Sequence, residues 1–310
     1  MSGPGGSGAG EAQERKRDRE RGRDDECESA LDAYVAAAST ALPAIPRIAA
    51  EIARLAGEPT APLDELRRLV ERDPALTARI LKTSNSPVYD FPEEVRSLSL
   101  AFSLLGREAV CNSVLAVSME RSYERLGLME RLLWQHATLA GPVAARLAEH
   151  PAIKLDAKQA YTAGTLHDVG KIALANSHPD EYERVVSRVY NEATSFVAVE
   201  REHFGFDHAQ LGARVATAWS LPAGLVAVIE HHHDPAALAC LPDETANMTA
   251  LVSLATACLT RLGVGRREPV PDLDLTAHPA WRYLGLERGE LDRVLGVCRH
   301  AIAKNRRLVR

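Results

Sequence analysis

Aromatic residues are scarce in this 310-residue sequence, at 5% of the chain. No convincing alternation of apolar and polar residues is present either. Both absences argue against a sheet, because strands favour aromatic and β-branched side chains at a period of two. No apolar run reaches the ~18 residues that read as a bilayer-spanning helix, so no membrane helix is expected. No secretory leader is expected either, since MSGPGGSGAG is not followed by an apolar segment. The expectation is a cytoplasmic protein with no membrane partner. Five cysteines (Cys27, Cys111, Cys240, Cys258 and Cys298) lie far apart, with no Cys-x-x-Cys pair. They read as reduced, mostly buried thiols of an intracellular chain. Strong positive charge is lacking too. The net charge of −5 does not suit a protein built to coat nucleic acid, which is not expected as a main partner.

What is present is apolar and helix-forming. Apolar residues make up 46% of the chain, and Ala and Leu abound. The length allows one large domain or two modest ones. Residues 1–29 are set apart: after the Gly/Ser-rich start comes EAQERKRDRERGRDDECES, with six basic and eight acidic side chains. So little apolar surface cannot offset the entropy of ordering, and a disordered tail is expected. From Leu31 the spacing predicts helix almost throughout. Leu63, Leu66, Leu69 and Val70 share a face. Asp73 can cap the next helix and Pro74 suits its first position, with Leu76, Ile80 and Leu81 as the stripe. Asn85-Ser86-Pro87 stops it. A break is expected near Gly106. A helix around 132–147 turns Trp134, Leu139, Val143 and Leu147 inward, and Asp156 caps the one leading to His167. Further helices are expected over 181–203, 208–219 and 222–232. After about Asp234 come a loop, the apolar helix ANMTALVSLATACLTRLG, a Pro/Asp-rich connector and a last helix over 289–304. Residues 30–237 thus read as the main domain and 238–310 as a small helical extension.

Eleven histidines are unevenly spread. His136 lies in LLWQHATLAG, His167 and Asp168 in TLHDVGKIAL, His208 in FGFDHAQLGA, and His231, His232 and His233 end LVAVIEHHH. Each alone has a plain structural reading, as a core histidine or a solvated helix end. Together, imidazoles and a carboxylate projecting from several helices are what a divalent transition metal needs. The candidate ligands are His136, His167, Asp168, His208, His231 and His232. Lys171 lies one turn beyond His167 and can hold an anionic oxygen, so Lys171 and Asp168 are the candidate catalytic groups. Iron, manganese, zinc or nickel would suit such a cluster; no other cofactor is expected.

This order resembles the HD superfamily of metal-dependent phosphohydrolases, and TLHDVGKI is similar to the HDIGK element of the HD-GYP cyclic-dinucleotide phosphodiesterases. The fuller resemblance is to the HDOD domain, a bacterial all-helical relative. LPAIPRIAAEI, LVERDPALTARILKTSNSPVY, LAFSLLGREAV, TAGTLHDVGKIAL, EREHFGFDHAQLGARVATAWSLP and VIEHHH carry it, in order, over about Thr40 to Asp234. The resemblance implies an all-α, multi-helix bundle of the HD type. It also implies a generally non-catalytic signalling module that binds a regulatory protein partner or a nucleotide. Two departures bear on chemistry. Ala255 is followed by Thr256, where the phosphohydrolases place a last metal-binding Asp. The residue after His231-His232 is His233 rather than Glu, and no GYP follows. The alternative function is a residual metal-dependent phosphohydrolase using the His/Asp cluster.

Overall fold

The computed structural model describes residues 31–37, 62–71, 91, 95–106 and 128–305 except 193 and 220, with isolated positions at 77, 80–81, 84–85 and 110. The expected tail, the Leu42 segment, the cap at Asp73 with Pro74 and Leu76, and Ser86-Pro87 lie outside the described residues. Among the described residues all regular structure is helical and there is no strand. No helix among them is long and apolar enough to cross a membrane. The first full helix, α1, is Leu63–Glu71. It buries Leu66 and Val70, four residues apart, and leaves Leu63 half-buried. Further on, Ile80 is buried whereas Leu81, expected in the same stripe, is only half-buried. Asn85 ends that turn by bonding the Leu81 carbonyl and both backbone groups of Val95.

α2 is Leu128–Ala148. Its residues Leu139, Val143 and Leu147 recur every four positions and are buried, the stripe of a core-facing helix. α3, Ala157–Leu166, begins at Asp156, whose Oδ1 accepts the backbone N–H groups of Lys158 (2.8 Å) and Gln159 (2.9 Å). This cap satisfies donors that the first turn leaves open. α4 is Val169–Ser177 and α5 is Pro179–Glu192. The span expected as one helix over 181–203 is two, because α6, Phe196–Phe204, starts anew at Ser195. The Ser195 hydroxyl accepts the Ala198 N–H (3.2 Å), the local bond that makes serine favour a cap over a helix interior. α7, His208–Ala218, opens with a capping box between Asp207 and Gln210. α8 is Ala223–His231. α9, Asp243–Arg261, α10, Pro279–Tyr283, and α11, Leu291–Asn305, complete the fold.

Two apolar clusters hold these helices. One contains Ile172, Tyr182, Val189, Leu211, Val215 and Ile229, and so joins α4, α5, α7 and α8. The other contains Leu139, Leu147, Leu251, Leu254, Trp281 and Leu295. It therefore joins α2 to α9, α10 and α11, so residues after 238 share a core with α2.

Glycines set how closely the histidine-bearing helices approach. A Cβ on Gly164 of α3 would lie 2.6 Å from the Ala140 carbonyl oxygen of α2. A Cβ on Gly170 of α4 would lie 1.9 Å from the His208 carbonyl oxygen of α7 and 2.9 Å from the Gly212 nitrogen. Backbone meets backbone there, and no rotamer change can make room. Gly170→Ala is therefore expected to cost about 3 kcal/mol through forced separation of α4 and α7. Gly224→Ala is the control: its Cβ would meet only the Thr245 hydroxyl at 3.5 Å, and the change should be neutral or slightly stabilising. Urea unfolding of both variants checks this; equal midpoints would refute the tight crossing.

Candidate metal centre

His167 and Asp168 stand at the joint between α3 and α4, and both are buried. α2 brings His136 to them, α7 brings His208, and the end of α8 brings His232 and His233. Ligating atoms of Asp168, His208, His232 and His233 lie within 4.8 Å of one another, as do those of His136, His167 and Asp168. The two groups share Asp168. His231 lies outside both, with its Nε2 3.8 Å from the Glu230 carboxylate. Of the three consecutive histidines, His232 and His233 take part.

Each buried imidazole is oriented from behind. The Nδ1 of His167 meets the Gly164 carbonyl oxygen at 2.6 Å, and that of His232 meets the Ile229 carbonyl oxygen at 2.8 Å. A carbonyl only accepts, so both Nδ1 atoms carry a proton, and in the neutral ring Nε2 is then the atom left to present a lone pair. His136 is turned the same way, with Nδ1 3.4 Å from the Val264 carbonyl oxygen. For His208 the partner is the fully buried carboxylate of Glu200, 2.6 Å from Nδ1 and 2.9 Å from the His208 backbone nitrogen. The Tyr182 hydroxyl donates to the other Glu200 oxygen at 2.9 Å. Glu200 escaped the sequence reading. The signal available was its place eight residues before His208, beside the buried Val199.

The inward side is unsatisfied. Asp168 Oδ2 is 3.3 Å from His167 Nε2, and Oδ1 is 3.3 Å from His208 Nε2 and 3.7 Å from His232 Nε2. The Nε2 atoms of His167, His208 and His232 and the Oδ1 of Asp168 are buried with no hydrogen bond among the described residues. Lys171 supplies a positive charge, with Nζ 2.9 Å from Asp168 Oδ2 and 4.4 Å from the centre of the Phe196 ring. Burial pushes the Asp168 carboxyl up, but the neighbouring His167 and Lys171 outweigh it and hold the group well below the usual carboxylate range. Burial lowers His232 to about 4, so it is neutral at pH 7. Burial also disfavours charge on His208, yet Glu200 leads the effects that raise it to about 9.

A neutral imidazole lone pair facing a carboxylate oxygen, as at His232, repels it unless a cation stands between them. The donor set suits a divalent ion, and the backing of each imidazole by a carbonyl or carboxylate is the arrangement that orients metal-binding histidines. The cluster is one that could bind a metal. Beside it lies a cavity of about 450 Å³ that His136, His167, Asp168, Lys171 and His233 share with Thr256 of α9. Thr256 donates its hydroxyl to the Ser253 carbonyl at 2.8 Å.

Residues 42–235 match the HDOD domain. An uncharacterized protein of Treponema pallidum (strain Nichols) is 24% identical over 214 residues, covering 69% of this chain and 41% of that relative. The chain thus spans about two fifths of the relative's length. A solved HDOD domain protein of unknown function from Geobacter sulfurreducens is 26% identical, with a TM-score of 0.66 over 88% of this chain and 99% of that one. A provisionally named metal-dependent phosphohydrolase from Shewanella amazonensis SB2B is similar in fold, with a TM-score of 0.58 at 18% identity over 89% and 99% of the two chains. The matched segment, carrying the His-Asp joint on an all-helical bundle, makes this chain a member of the HDOD family.

Proposed function

We propose that the chain is a non-catalytic signalling module that binds a regulatory protein partner, or a nucleotide, and that its His/Asp centre holds a divalent metal ion. The observation behind the metal is a set of unsatisfied buried atoms: the Nε2 atoms of His167, His208 and His232 converge on Asp168, whose Oδ1 has no hydrogen bond among the described residues. His167, Asp168, His208 and His232 would hold the ion, with His136 and His233 beside them. Iron, manganese, zinc and nickel all suit imidazole donors. A bound ion supplies Lewis acidity and lowers the pKa of a coordinated water. The non-catalytic reading rests on Thr256, a neutral hydroxyl already committed to a backbone carbonyl in the helix where a further carboxylate would be needed.

The second reading, a residual phosphohydrolase, is favoured by the cavity that opens directly against the centre. Protein purified without a histidine tag and analysed for iron, manganese, zinc and nickel separates these readings, combined with assays on cyclic dinucleotides and a generic phosphodiester. The expected result is bound metal without turnover. Failure to take up any of the four ions removes the metal centre. Turnover that Asp168→Ala abolishes makes the protein an enzyme.

A further inference from the structure

Part of the cavity lining comes from residues beyond the matched segment. Gly265 and Arg266 line it, following α9. This short strap is fastened to the centre at consecutive residues. The Val264 carbonyl faces His136 Nδ1, and the Gly265 carbonyl accepts the Tyr190 hydroxyl at 2.8 Å. Gly265 has φ +71°, and a Cβ there would come within 2.5 Å of the His136 Cβ. Only glycine allows the strap to lie this close to α2. The next residue, Arg266, is thereby placed at the cavity, near enough to Tyr190 to act on its hydroxyl through its charge, and no ion pair or hydrogen bond ties its guanidinium among the described residues.

We propose that this cavity binds a small phosphorylated ligand and that Arg266 recognises the phosphoryl oxygens. Charge points this way. Asp168 is the sole carboxylate on the described lining, and Lys171 already faces it. Thr256 on the same lining is neutral. A planar guanidinium with five donors matches a phosphoryl group in two-point fashion. Hydroxyls of Ser195 and Thr260 also line the cavity, while Phe196 and Leu273 offer an apolar face for the ligand's body. A volume of about 450 Å³ falls in the range of small-molecule sites.

The inference extends the reading of the His/Asp centre as a ligand site, but it is tested apart from metal. Calorimetric titration of the full chain uses phenyl phosphate, with inorganic phosphate and benzoate as comparisons, and metal content is measured on each sample. Phenyl phosphate should bind more tightly than either comparison, and Arg266→Ala should weaken it at least ~10-fold, the scale of one charge-assisted pair. Arg266→Lys should recover part of that loss, since it restores charge without the two-point geometry. Metal content and melting temperature should stay unchanged in both variants, because no ion pair or hydrogen bond ties the guanidinium among the described residues. Equal phenyl phosphate affinity in wild type and Arg266→Ala, or benzoate binding as tightly, overturns the proposal. So does no binding by metal-containing wild type, which leaves the metal centre standing. Arg266-dependent binding by a protein that takes up no metal has the opposite meaning: the anion site survives and the metal reading falls.

Discussion

A chain ending at Ala237 is expected to show no cooperative thermal transition. The helices after that point are not an outer layer. Leu251, Leu254 and Leu259 of α9, with Trp281 and Leu295, are buried in the cluster that also takes Leu139, Val143 and Leu147 of α2. Each large apolar side chain withdrawn from a core forfeits roughly 1.5–3 kcal/mol. Five such losses, with the α2 stripe left uncovered, reach the roughly 5–15 kcal/mol by which whole domains are stable. Circular dichroism during heating checks this. A sharp transition close to that of the full chain would mean that the segment matching the HDOD domain folds without its C-terminal neighbours.

Asp168→Ala is expected to cost about 3–5 kcal/mol in urea unfolding, the usual penalty for removing one partner of a buried ion pair. The reason is what remains. Lys171 is buried, and its Nζ bonds the lost carboxylate at 2.9 Å. Asp168→Ala combined with Lys171→Met should regain most of the loss, because an apolar pair of similar volume avoids the unpaired charge. A cost below about 1 kcal/mol for the single variant, or no recovery in the double, would contradict the pairing. Elemental analysis of the same proteins adds an independent measure: both variants should lose the bound metal, since both lack the oxygens common to the two donor groups.

The sequence made much of this readable, and what it hid has physical causes. Asp156 as a cap and the Leu139, Val143 and Leu147 stripe rest on local rules, and both are found in the structure, although Trp134, expected on the same inward face, is only half-buried. The choice among His231, His232 and His233 is not local. Consecutive residues at a helix end point in different directions, and the packing of α8 on its neighbours decides which of them face inward. Glu200 was invisible for a related reason. A charged residue within a helix ordinarily marks a solvated face, and only the approach of α7 turns it into the backing of His208. Arg266 and the strap before it depend on a contact 128 positions apart in sequence, between Val264 and His136. The single helix expected over 181–203 failed at Ser195, whose hydroxyl bonds to the backbone and starts a new helix.

Asp168 has two oxygens, and they look toward different parts of the bundle. Oδ2 faces His167 and Lys171, on the α3–α4 side, while Oδ1 faces His208 and His232, which belong to α7 and α8. The carboxylate acts mechanically as a clasp with two jaws. Whatever fills the space between oxygen and imidazole sets the spacing across each jaw: a proton brings them to hydrogen-bond distance, a metal ion holds both at its own bond lengths, and repulsion between lone pairs drives them apart. Because α4 and α7 already touch through Gly170, they cannot slide closer to absorb such a change. On the α8 side the boundary of the core runs through this same point: His232 is buried, and residues 233–236 that follow it are exposed.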